Sequence, residues 1–350
     1  MRRLARRATR LVALCALAGC CLCGGPSGAG TPFTPQGDGL MYQVQTMDDL
    51  ARLRAGYRDL LESGWKGTLE VRFTTGGGAA GMWDLWPERK SRAALAPPGI
   101  DLVLLGDGGP LPGTLSRVLA RSVRLENLVV TGSRSVALSF EVAGAFTMSG
   151  CALLDGRWDD PHGGEGFLVV AGRRGGDAVR VTLEDSWFVR NWQNAPMPMI
   201  DVRSAVEQGA FADEVAVRRS AFLANAFHRE IRVRRAERVT IEDSVFFKTW
   251  PDGEVLECGE RVPVRVTRSA FAVPAIGFLA SASGCPNLDL THSRVFAPAG
   301  PGPAWAEGVL DPASFPTAEL SALLLAQIEQ GRVPDASARA ALAALLKMPG

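Results

Sequence analysis

A short segment recurs at nearly fixed intervals through the second half of the chain. One copy is VTIEDSVF at 239–246, and similar copies are VTLEDSWF at 181–188, VAVRRSAF at 215–222 and VRVTRSAF at 264–271. With the serine of each copy, or its equivalent, as an anchor, neighbouring anchors are separated by 23, 35, 34, 24, 25 and 24 residues. The anchors are Leu128, Cys151, Ser186, Ser220, Ser244, Ser269 and Ser293. A period in this range is typical of solenoids, in which each repeat packs mainly against its neighbours.

The order of apolar and polar residues within one copy predicts a β-strand. In VTIEDSVF, Val239 and Ile241 alternate with polar residues, which places them on one face of an extended strand. Asp243 breaks the alternation, so a bend is expected there, and Ser244 and Phe246 then point inward again. Because stacked strands lie about 4.8 Å apart, equivalent residues of successive coils would form serine and phenylalanine ladders along the axis.

Each repeat also contains a second apolar strand 11–15 residues before its anchor, as in VALSF (136–140), REIRV (229–233) and EVLEC (254–258). Leucine-rich repeats need a Leu-x-x-Leu-x-Leu ladder, which is absent, and helical repeats need longer units with a 3.6-residue period. We therefore predict an all-β chain that folds as a β-helix solenoid of about nine coils.

The residues just before the anchors alternate in sign along the chain: Asp185, Arg219, Asp243, Arg268 and His292. Stacked coils would therefore place opposite charges side by side. Two interpretations are open, namely a charged binding track and a ladder of ion pairs that stabilises the stacking. The alternation favours the ion-paired ladder, because a track for an acidic polymer would carry charges of one sign.

A helix is predicted before the solenoid. Thr46 is followed three residues later by Asp49, which is close to a capping box. An apolar stripe at helical spacing comes next: Leu50, Leu53, Tyr57, Leu60 and Leu61. We assign residues 41–300 to the β-helix together with this N-terminal cap helix.

Two further helices are predicted after the repeats end at Phe296, over 317–331 and 335–347. A solenoid leaves open strand edges and an apolar cross-section at its last coil, which need a cover. We therefore assign 301–350 to a C-terminal helical cap. The alternative is that these helices form a docking surface for a protein partner.

The N-terminus has the order of an export signal. Residues 1–10 contain five arginines and no acid, and a short apolar run leads to LAGC, which ends at Cys20. The tetrapeptide resembles the lipobox of bacterial lipoproteins, which implies cleavage after a signal peptide at 1–19, acylation of Cys20 and a flexible, Gly- and Pro-rich tether at 20–40. Because Cys21 stands where an inner-membrane retention signal would carry Asp, the outer membrane is favoured. The alternative is an ordinary signal peptide with an incidental cysteine.

The charge balance and the length of the apolar stretches indicate which partners the chain can have. Without the five arginines of the export signal, 33 basic residues stand against 37 acidic ones, which argues against a nucleic-acid partner. No later stretch has 18 consecutive apolar residues, so the lipid anchor is the predicted membrane attachment.

The cysteines of the body are Cys151, Cys258 and Cys285, and they contain no C-x-x-C pair of a zinc site. Cys258 and Cys285 lie about one repeat apart and are the candidate disulfide.

The coil length, the strand alternation and the stacked Ser, Phe and Asn positions resemble those of the right-handed parallel β-helix superfamily of pectate-lyase-like proteins. The resemblance covers about 68–298. It implies a right-handed parallel β-helix with short capping helices, and it implies a protein that cuts or binds polysaccharide or acts as a surface spike. The family's clustered calcium-binding carboxylates and its ordered Asp, His-Gly and Arg-x-Lys motifs are not found.

One inserted loop still contains side chains that could carry out acid–base catalysis or bind a ligand. DGRWDDPHGGEG at 155–166 is followed by a second insertion, VRNWQNAPMPM at 189–199. Asp159, Asp160 and His162, with Arg190, are the candidate catalytic residues of a polysaccharide lyase or glycoside hydrolase. Asp159 and Asp160, with Glu165, are the candidate calcium ligands. The candidate sugar-stacking residues are Trp158, Trp192 and Trp250.

Taken together, these patterns predict a monomeric, exported lipoprotein of the outer membrane, whose β-helix binds a surface or extracellular polysaccharide or serves as an envelope scaffold without catalysis. No cofactor is required, apart from calcium if the loop binds it. A polysaccharide lyase or glycoside hydrolase is the rival function, and a protein-docking module of a surface assembly is the third.

Overall fold

The computed structural model of the protein describes residues 33–74, 81–84, 99–132, 138–158, 168–172, 179–193, 197–204, 212–248, 253–259, 262–274, 279–280, 285, 287–290, 292–297, 310, 318, 322, 325–326 and 329. By its contacts the chain divides into residues 1–32 and residues 33–350, and all described residues belong to the second unit. The predicted signal peptide and Cys20 therefore lie outside the described residues.

Strands make up most of the described chain. They are β1 Thr34–Gln36, β2 Gly39–Val44, β3 Lys66–Phe73, β4 Gly81–Asp84, β5 Gly99–Gly106, β6 Pro110–Glu126, β7 Val129–Thr131, β8 Leu138–Ser149, β9 Ala152–Leu154, β10 Arg157–Trp158, β11 Leu168–Gly172, β12 Val179–Glu184, β13 Trp187–Val189, β14 Trp192–Gln193, β15 Pro198–Ser204, β16 Ala212–Arg218, β17 Ala221–Asn225, β18 Arg229–Val233, β19 Ala236–Glu242, β20 Val245–Lys248, β21 Glu254–Cys258, β22 Val264–Thr267, β23 Ala270–Ala272, β24 Leu288–Asp289 and β25 Arg294–Phe296. A helix, α1, spans Met47–Glu62.

The strands form three parallel ladders in which each strand pairs with its equivalent in the next coil. The first ladder contains β2, β3, β5, the ends of β6 and β8, β12, β16, β19, β22 and β24. The second contains the start of β6, β7, β9, β13, β17, β20, β23 and β25. The third contains the middle of β6, the start of β8, β11, β15, β18 and β21. The all-β prediction is thus confirmed as parallel strands stacked one repeat apart, an arrangement compatible with a β-solenoid.

A bend of constant geometry joins the first ladder to the second. In seven successive coils the residue before the anchor has a left-handed backbone, with φ between 46° and 62°: Asn127, Gly150, Asp185, Arg219, Asp243, Arg268 and His292. This conformation costs free energy for residues with a side chain, so its recurrence shows that the surrounding coils impose it. The bend predicted at Asp243 is confirmed.

The buried anchor serines hold neighbouring coils in register. Each hydroxyl donates to the carbonyl oxygen two residues earlier, at 2.8 Å for Ser220 to Arg218. The hydroxyl oxygen also accepts the backbone N–H of the preceding anchor, at 3.3 Å from Ser186 to Ser220 and 3.2 Å from Ser220 to Ser244. The ladder therefore satisfies hydroxyls that would be costly to bury alone.

Phenylalanine rings stack beneath the second ladder. Phe188, Phe222, Phe246 and Phe271 are fully buried, and their ring centroids are 4.6, 4.5 and 4.8 Å apart with interplanar angles of 7–9°. Each ring fills the interior of its own coil and contacts the rings above and below. This apolar column and the serine ladder occupy the inside of the coils, as the alternation predicts.

A second apolar cluster lies on the outer face of the second ladder. Its members are exposed by 8% or less: Val129, Ala152, Leu154, Trp187, Val189, Ala221, Leu223, Phe247, Ala270, Ala272 and Phe296. The sequence analysis did not identify this cluster. These side chains are shielded from solvent, whereas Val245 and Arg294, which share this face, are partly exposed and exposed.

Helix α1 follows the sequence closely. Thr46 and Asp49 form the capping box, since the Thr46 hydroxyl accepts the Asp49 backbone N–H at 3.2 Å and the Asp49 carboxylate accepts the Thr46 N–H at 2.9 Å. The predicted apolar stripe is buried, and the hydroxyl of Tyr57 donates to the carbonyl of Leu119 at 2.5 Å. The helix thus packs against the apolar interior of the coils.

The two ends of the described chain add to the ladders. β1 pairs antiparallel with β2, so part of the stretch assigned to a flexible tether is β-structure. Beyond the last coil, Leu310 forms a parallel bridge to Phe296. Helical residues within the predicted segment 317–331 are Ala318, Ala322, Leu325, Ala326 and Glu329. Over the part of the chain described, no helix is both long and apolar enough to cross a membrane.

The phenylalanine column leads to a stability prediction. We expect Phe222→Ala to lower the free energy of unfolding by about 3–5 kcal/mol, because it opens a cavity between two stacked rings. The measurement is urea unfolding followed by circular dichroism. The control is Val245→Ala, which shortens an outward, partly exposed side chain in β20 and should cost about 1 kcal/mol or less. Equal losses in the two variants would contradict the inward packing of the column.

Candidate functional site

The two inserted regions of the chain meet in a short parallel pair, β10 and β14. Arg157 pairs with Trp192, and Trp158 pairs with Gln193. The backbone N–H of Trp192 donates to the Gly156 carbonyl at 2.8 Å. The structure therefore brings two of the predicted sugar-stacking tryptophans into adjacent strands, offset by one residue.

Buried asparagines set the course of the chain into these strands. The Asn191 side chain accepts the backbone N–H of Gly156 at 3.0 Å and donates to the Leu153 carbonyl at 2.9 Å. One coil further, the Asn225 side chain accepts the Asn191 N–H at 3.0 Å. Each asparagine thus replaces missing backbone partners at the turn, which fixes where β10 and β14 begin.

Arg190, a predicted catalytic residue, is ion-paired at the edge of this site. Its guanidinium lies 2.6 Å from a carboxylate oxygen of Asp155, and both residues have a left-handed backbone. The sequence analysis missed this pair. The signal was present, because Asp155 and Arg190 each stand four residues after their anchors, Cys151 and Ser186, and carry opposite charges.

Gln193 contributes a buried amide next to the tryptophans. The residue is 5% exposed, and neither polar atom of its side chain has a hydrogen-bond partner within the described ranges. An unpaired buried amide costs free energy. Trp192 is partly exposed and Arg157 is exposed. Because successive side chains of a strand point to opposite faces, Arg157 and Trp192 share one face of the pair and supply a cation and an aromatic ring, whereas Gln193 belongs to the other face.

The other predicted site residues lie outside the described residues. These are Asp159, Asp160, His162, Glu165 and Trp250, and nothing is described of the Trp158 side chain. Within the ranges that the structure describes, no group of three His, Cys, Asp or Glu side chains forms a metal site. Calcium binding by Asp159, Asp160 and Glu165 stays a prediction.

The alternating charges along the bend pair with one another, as predicted. The guanidinium of Arg219 donates to both carboxylate oxygens of Asp185 at 2.8 Å, and that of Arg268 donates to both oxygens of Asp243 at 2.7 Å. The hydrogen bonds from Arg268 hold the pKa of Asp243 below its ordinary value. Exposed pairs such as these contribute little stability each, but together they neutralise this edge of the coils. The structure confirms the ion-paired ladder.

Part of the outer face of the third ladder is also shielded from solvent. Asp201 is fully buried, and both of its carboxylate oxygens accept from the guanidinium of Arg232, at 3.0 and 2.8 Å. In neighbouring coils Ser139 and Val169 occupy the same register and are buried too. At this register the face therefore resembles the interior in its burial from Ser139 to Arg232, whereas Glu257 in the following coil is partly exposed.

A buried carboxylate, Glu230, lies inside the coils where neighbouring coils have Met199 and Val255. It accepts from the Asn225 amide at 3.3 Å, and one of its oxygens has no partner among the described atoms. Burial raises the pKa of Glu230 to about 7, against the opposing effects of Lys248 and Asn225. Lys248 takes the asparagine position in the next coil and donates to the Phe227 carbonyl at 2.7 Å.

Glu230 leads to a prediction of pH dependence. Because its pKa is about 7 when folded and 4.5 ordinarily, the folded state binds more protons between these values. The free energy of unfolding should therefore fall by about 3 kcal/mol as pH rises from 4.5 to 7. We expect Glu230→Gln to remove this fall, as measured by urea unfolding at a series of pH values. The control is Glu214→Gln, since hydrogen bonding to Arg238 lowers the pKa of Glu214 and this replacement should leave the fall in place. If the free energy of unfolding of Glu230→Gln still fell between these pH values, the fall could not be assigned to Glu230.

Comparison of the chain with protein-family models, with curated proteins and with solved structures returns no match. Around β10 and β14, an aromatic and a charged side chain from separate coils, Trp192 and Arg157, are brought together.

Proposed function

We propose that this protein is an envelope lipoprotein, a right-handed parallel β-helix of the pectate-lyase-like type, that binds polysaccharide without cutting it. The observation that carries the proposal is the parallel register of β10 and β14, which sets Trp158 beside Gln193 and Arg157 beside Trp192. The binding surface, called here the tryptophan flank, consists of Arg157 and Trp192, which share one face of the pair.

Much of the other described outer surface of the coils is buried or carries paired charges, which favours the tryptophan flank as the binding surface. The outer face of the second ladder is apolar and buried, and that of the third holds the buried Asp201–Arg232 pair. The edge of the first ladder carries ion pairs of both signs, such as Arg219 with Asp185. A long acidic polymer would meet compensated charge there. The tryptophan flank combines a partly exposed ring, that of Trp192, with an exposed arginine, Arg157.

The chemistry of the tryptophan flank suits a sugar. An indole ring offers a broad apolar face on which the C–H groups of a pyranose can pack, and such rings supply most of the energy in small binding sites. Arg157 would add an exposed cation for a uronic acid or a sulfate group.

The rival function is cleavage of the same polymer by Asp159, Asp160 and His162, with Arg190. Arg190 would have to leave Asp155 in order to act on a substrate. A rigid arginine already paired with a carboxylate favours a structural role at the turn. Non-catalytic binding therefore accounts for more of the described contacts.

The tryptophan flank leads to a binding prediction. Full-length protein with added calcium is tested against a panel of acidic and neutral polysaccharides, by retention and by mass spectrometry of the glycans. We expect retention of at least one polymer without shortening of its chains, and at least about tenfold weaker binding of Trp192→Ala. The control is Trp65→Ala, which removes a partly exposed tryptophan beside α1. Circular dichroism checks the fold of both variants.

Other outcomes of this experiment have distinct meanings. Shortened glycans that persist in Trp192→Ala but disappear in the double variant Asp159→Asn, Asp160→Asn would replace binding by catalysis. Neither retention nor shortening would reject both sugar functions and direct attention to a protein partner. In that case truncation at Gly300 would test docking through the C-terminal segment.

The anchor is tested separately. We expect the full chain, expressed in a bacterial host with an alkyne fatty acid, to be labelled and to fractionate with the outer membrane. Cys20→Ala should lose the label, because the thiol of the first mature residue carries the lipid. The matched variant Cys21→Ala should keep it. Labelling that survives Cys20→Ala would contradict the lipobox.

A further inference from the structure

Two buried thiols face each other near the last coil. Cys258 ends β21, where it continues the inward column of Val233 in the coil before. Cys285 belongs to the next coil, and the two side chains hydrogen-bond to each other. Both cysteines are free and buried in the structure, with exposures of 6% and 2%. The chain between them runs along β21, since the Leu256 N–H donates to the Leu279 carbonyl at 3.0 Å.

The third cysteine of the body has a different position. Cys151 occupies an anchor of the serine ladder, where its thiol donates to the Ser149 carbonyl at 3.3 Å and accepts the Leu128 N–H at 3.4 Å. It lies in a coil whose strands pair with those of β7 and β13, several coils away from β21. The structure therefore selects one pair of thiols out of the three that the sequence permits.

We propose that Cys258 and Cys285 form a disulfide that fastens the last coil of the solenoid to the coil before it. The reaction takes two electrons and two protons from the two thiols. A disulfide oxidant of the glutathione or thiol–disulfide oxidoreductase class accepts the electrons: one protein thiolate attacks it and forms a mixed disulfide, and the second thiolate displaces its thiol. Two molecules of oxidant thiol leave, and one protein disulfide remains.

The last coil is where such a link has most effect. Among the described strands of the first ladder, β24 contains two residues, against seven in β16 and β19 and four in β22, so it makes fewer backbone hydrogen bonds to its neighbour than the strands in the middle. Cross-linking residues 258 and 285 restricts the unfolded chain and holds the coil at the position where the solenoid would open first. The proposal needs an oxidant but does not rest on polysaccharide binding.

Burial determines when the link can form. Hydrogen bonding to Cys258 and desolvation both raise the pKa of the Cys285 thiol, which keeps it protonated and unreactive once the coil has closed. Oxidation therefore takes place while this coil is still open during folding. For the same reason the finished disulfide is shielded from reductants in the folded protein.

The test refolds the full chain from denaturant, in a background in which Cys15, Cys20, Cys21 and Cys23 are serine. One sample contains oxidised and reduced glutathione, and the other contains only a reductant. After alkylation and digestion, we expect the oxidised sample to show a linked peptide of Cys258 and Cys285 with Cys151 alkylated. Its Tm should exceed that of the reduced sample by roughly 5 °C.

Two variants are the controls. Cys151→Ser should retain the linked peptide and the rise in Tm, whereas Cys285→Ser should lose both. Three alkylated cysteines in the oxidised sample, or a linked peptide containing Cys151, would overturn the proposal. Should the serine background not refold, the same peptide map of wild-type protein exported by bacterial cells decides the question by the presence or absence of the Cys258–Cys285 link.

Discussion

Backbone hydrogen bonds between parallel strands of successive coils are the interaction on which the rest of this structure depends. They form only if every coil repeats the same register, and a shift by one residue would turn each inward side chain outward. Two devices hold the register. The left-handed residue before each anchor makes the bend identical from Asn127 to His292. The hydroxyl of the anchor serine then bonds both to its own coil and to the coil before it, as Ser220 does with Arg218 and Ser186. The backbone strain at the bend is tolerated because the stacked coils on both sides fix it.

The same register creates the candidate site. Asn191 and Asn225 continue the pattern one turn further and determine where β10 and β14 start. Two insertions that lie 35 residues apart at their anchors are therefore aligned to single-residue accuracy.

At one place inside the coils, two departures from the repeat pattern compensate each other. Glu230 replaces an apolar residue of neighbouring coils, and Lys248 replaces an asparagine in the adjoining one. A buried carboxylate and a buried ammonium offset each other's desolvation in part, which an isolated replacement could not do.

Many outward-facing side chains of the second and third ladders are buried, which distinguishes this fold from a simple stack of amphipathic strands. The apolar cluster outside the second ladder and the Asp201–Arg232 pair outside the third are as buried as the interior. Turns and inserted strands are the places where backbone geometry can change without disturbing the ladders. Aromatic and polar residues placed at such a turn meet fewer structural demands than residues within a ladder. This division of roles accounts for the position of the tryptophan flank.

The sequence by itself determined the repeat, the inward alternation at Val239 and Ile241, the bend at Asp243, the capping box of α1 and the opposite charges along the bend. All of these are local or periodic, and each follows from side-chain chemistry within a few residues of an anchor. The tertiary structure alone decided that Arg190 meets Asp155, that Trp158 lies beside Gln193 and that the outer face of the second ladder is buried. These features depend on the register between coils of unequal length and on what covers a strand from outside. Neither is encoded in the alternation of a single strand, which specifies a buried face without identifying the atoms that cover it.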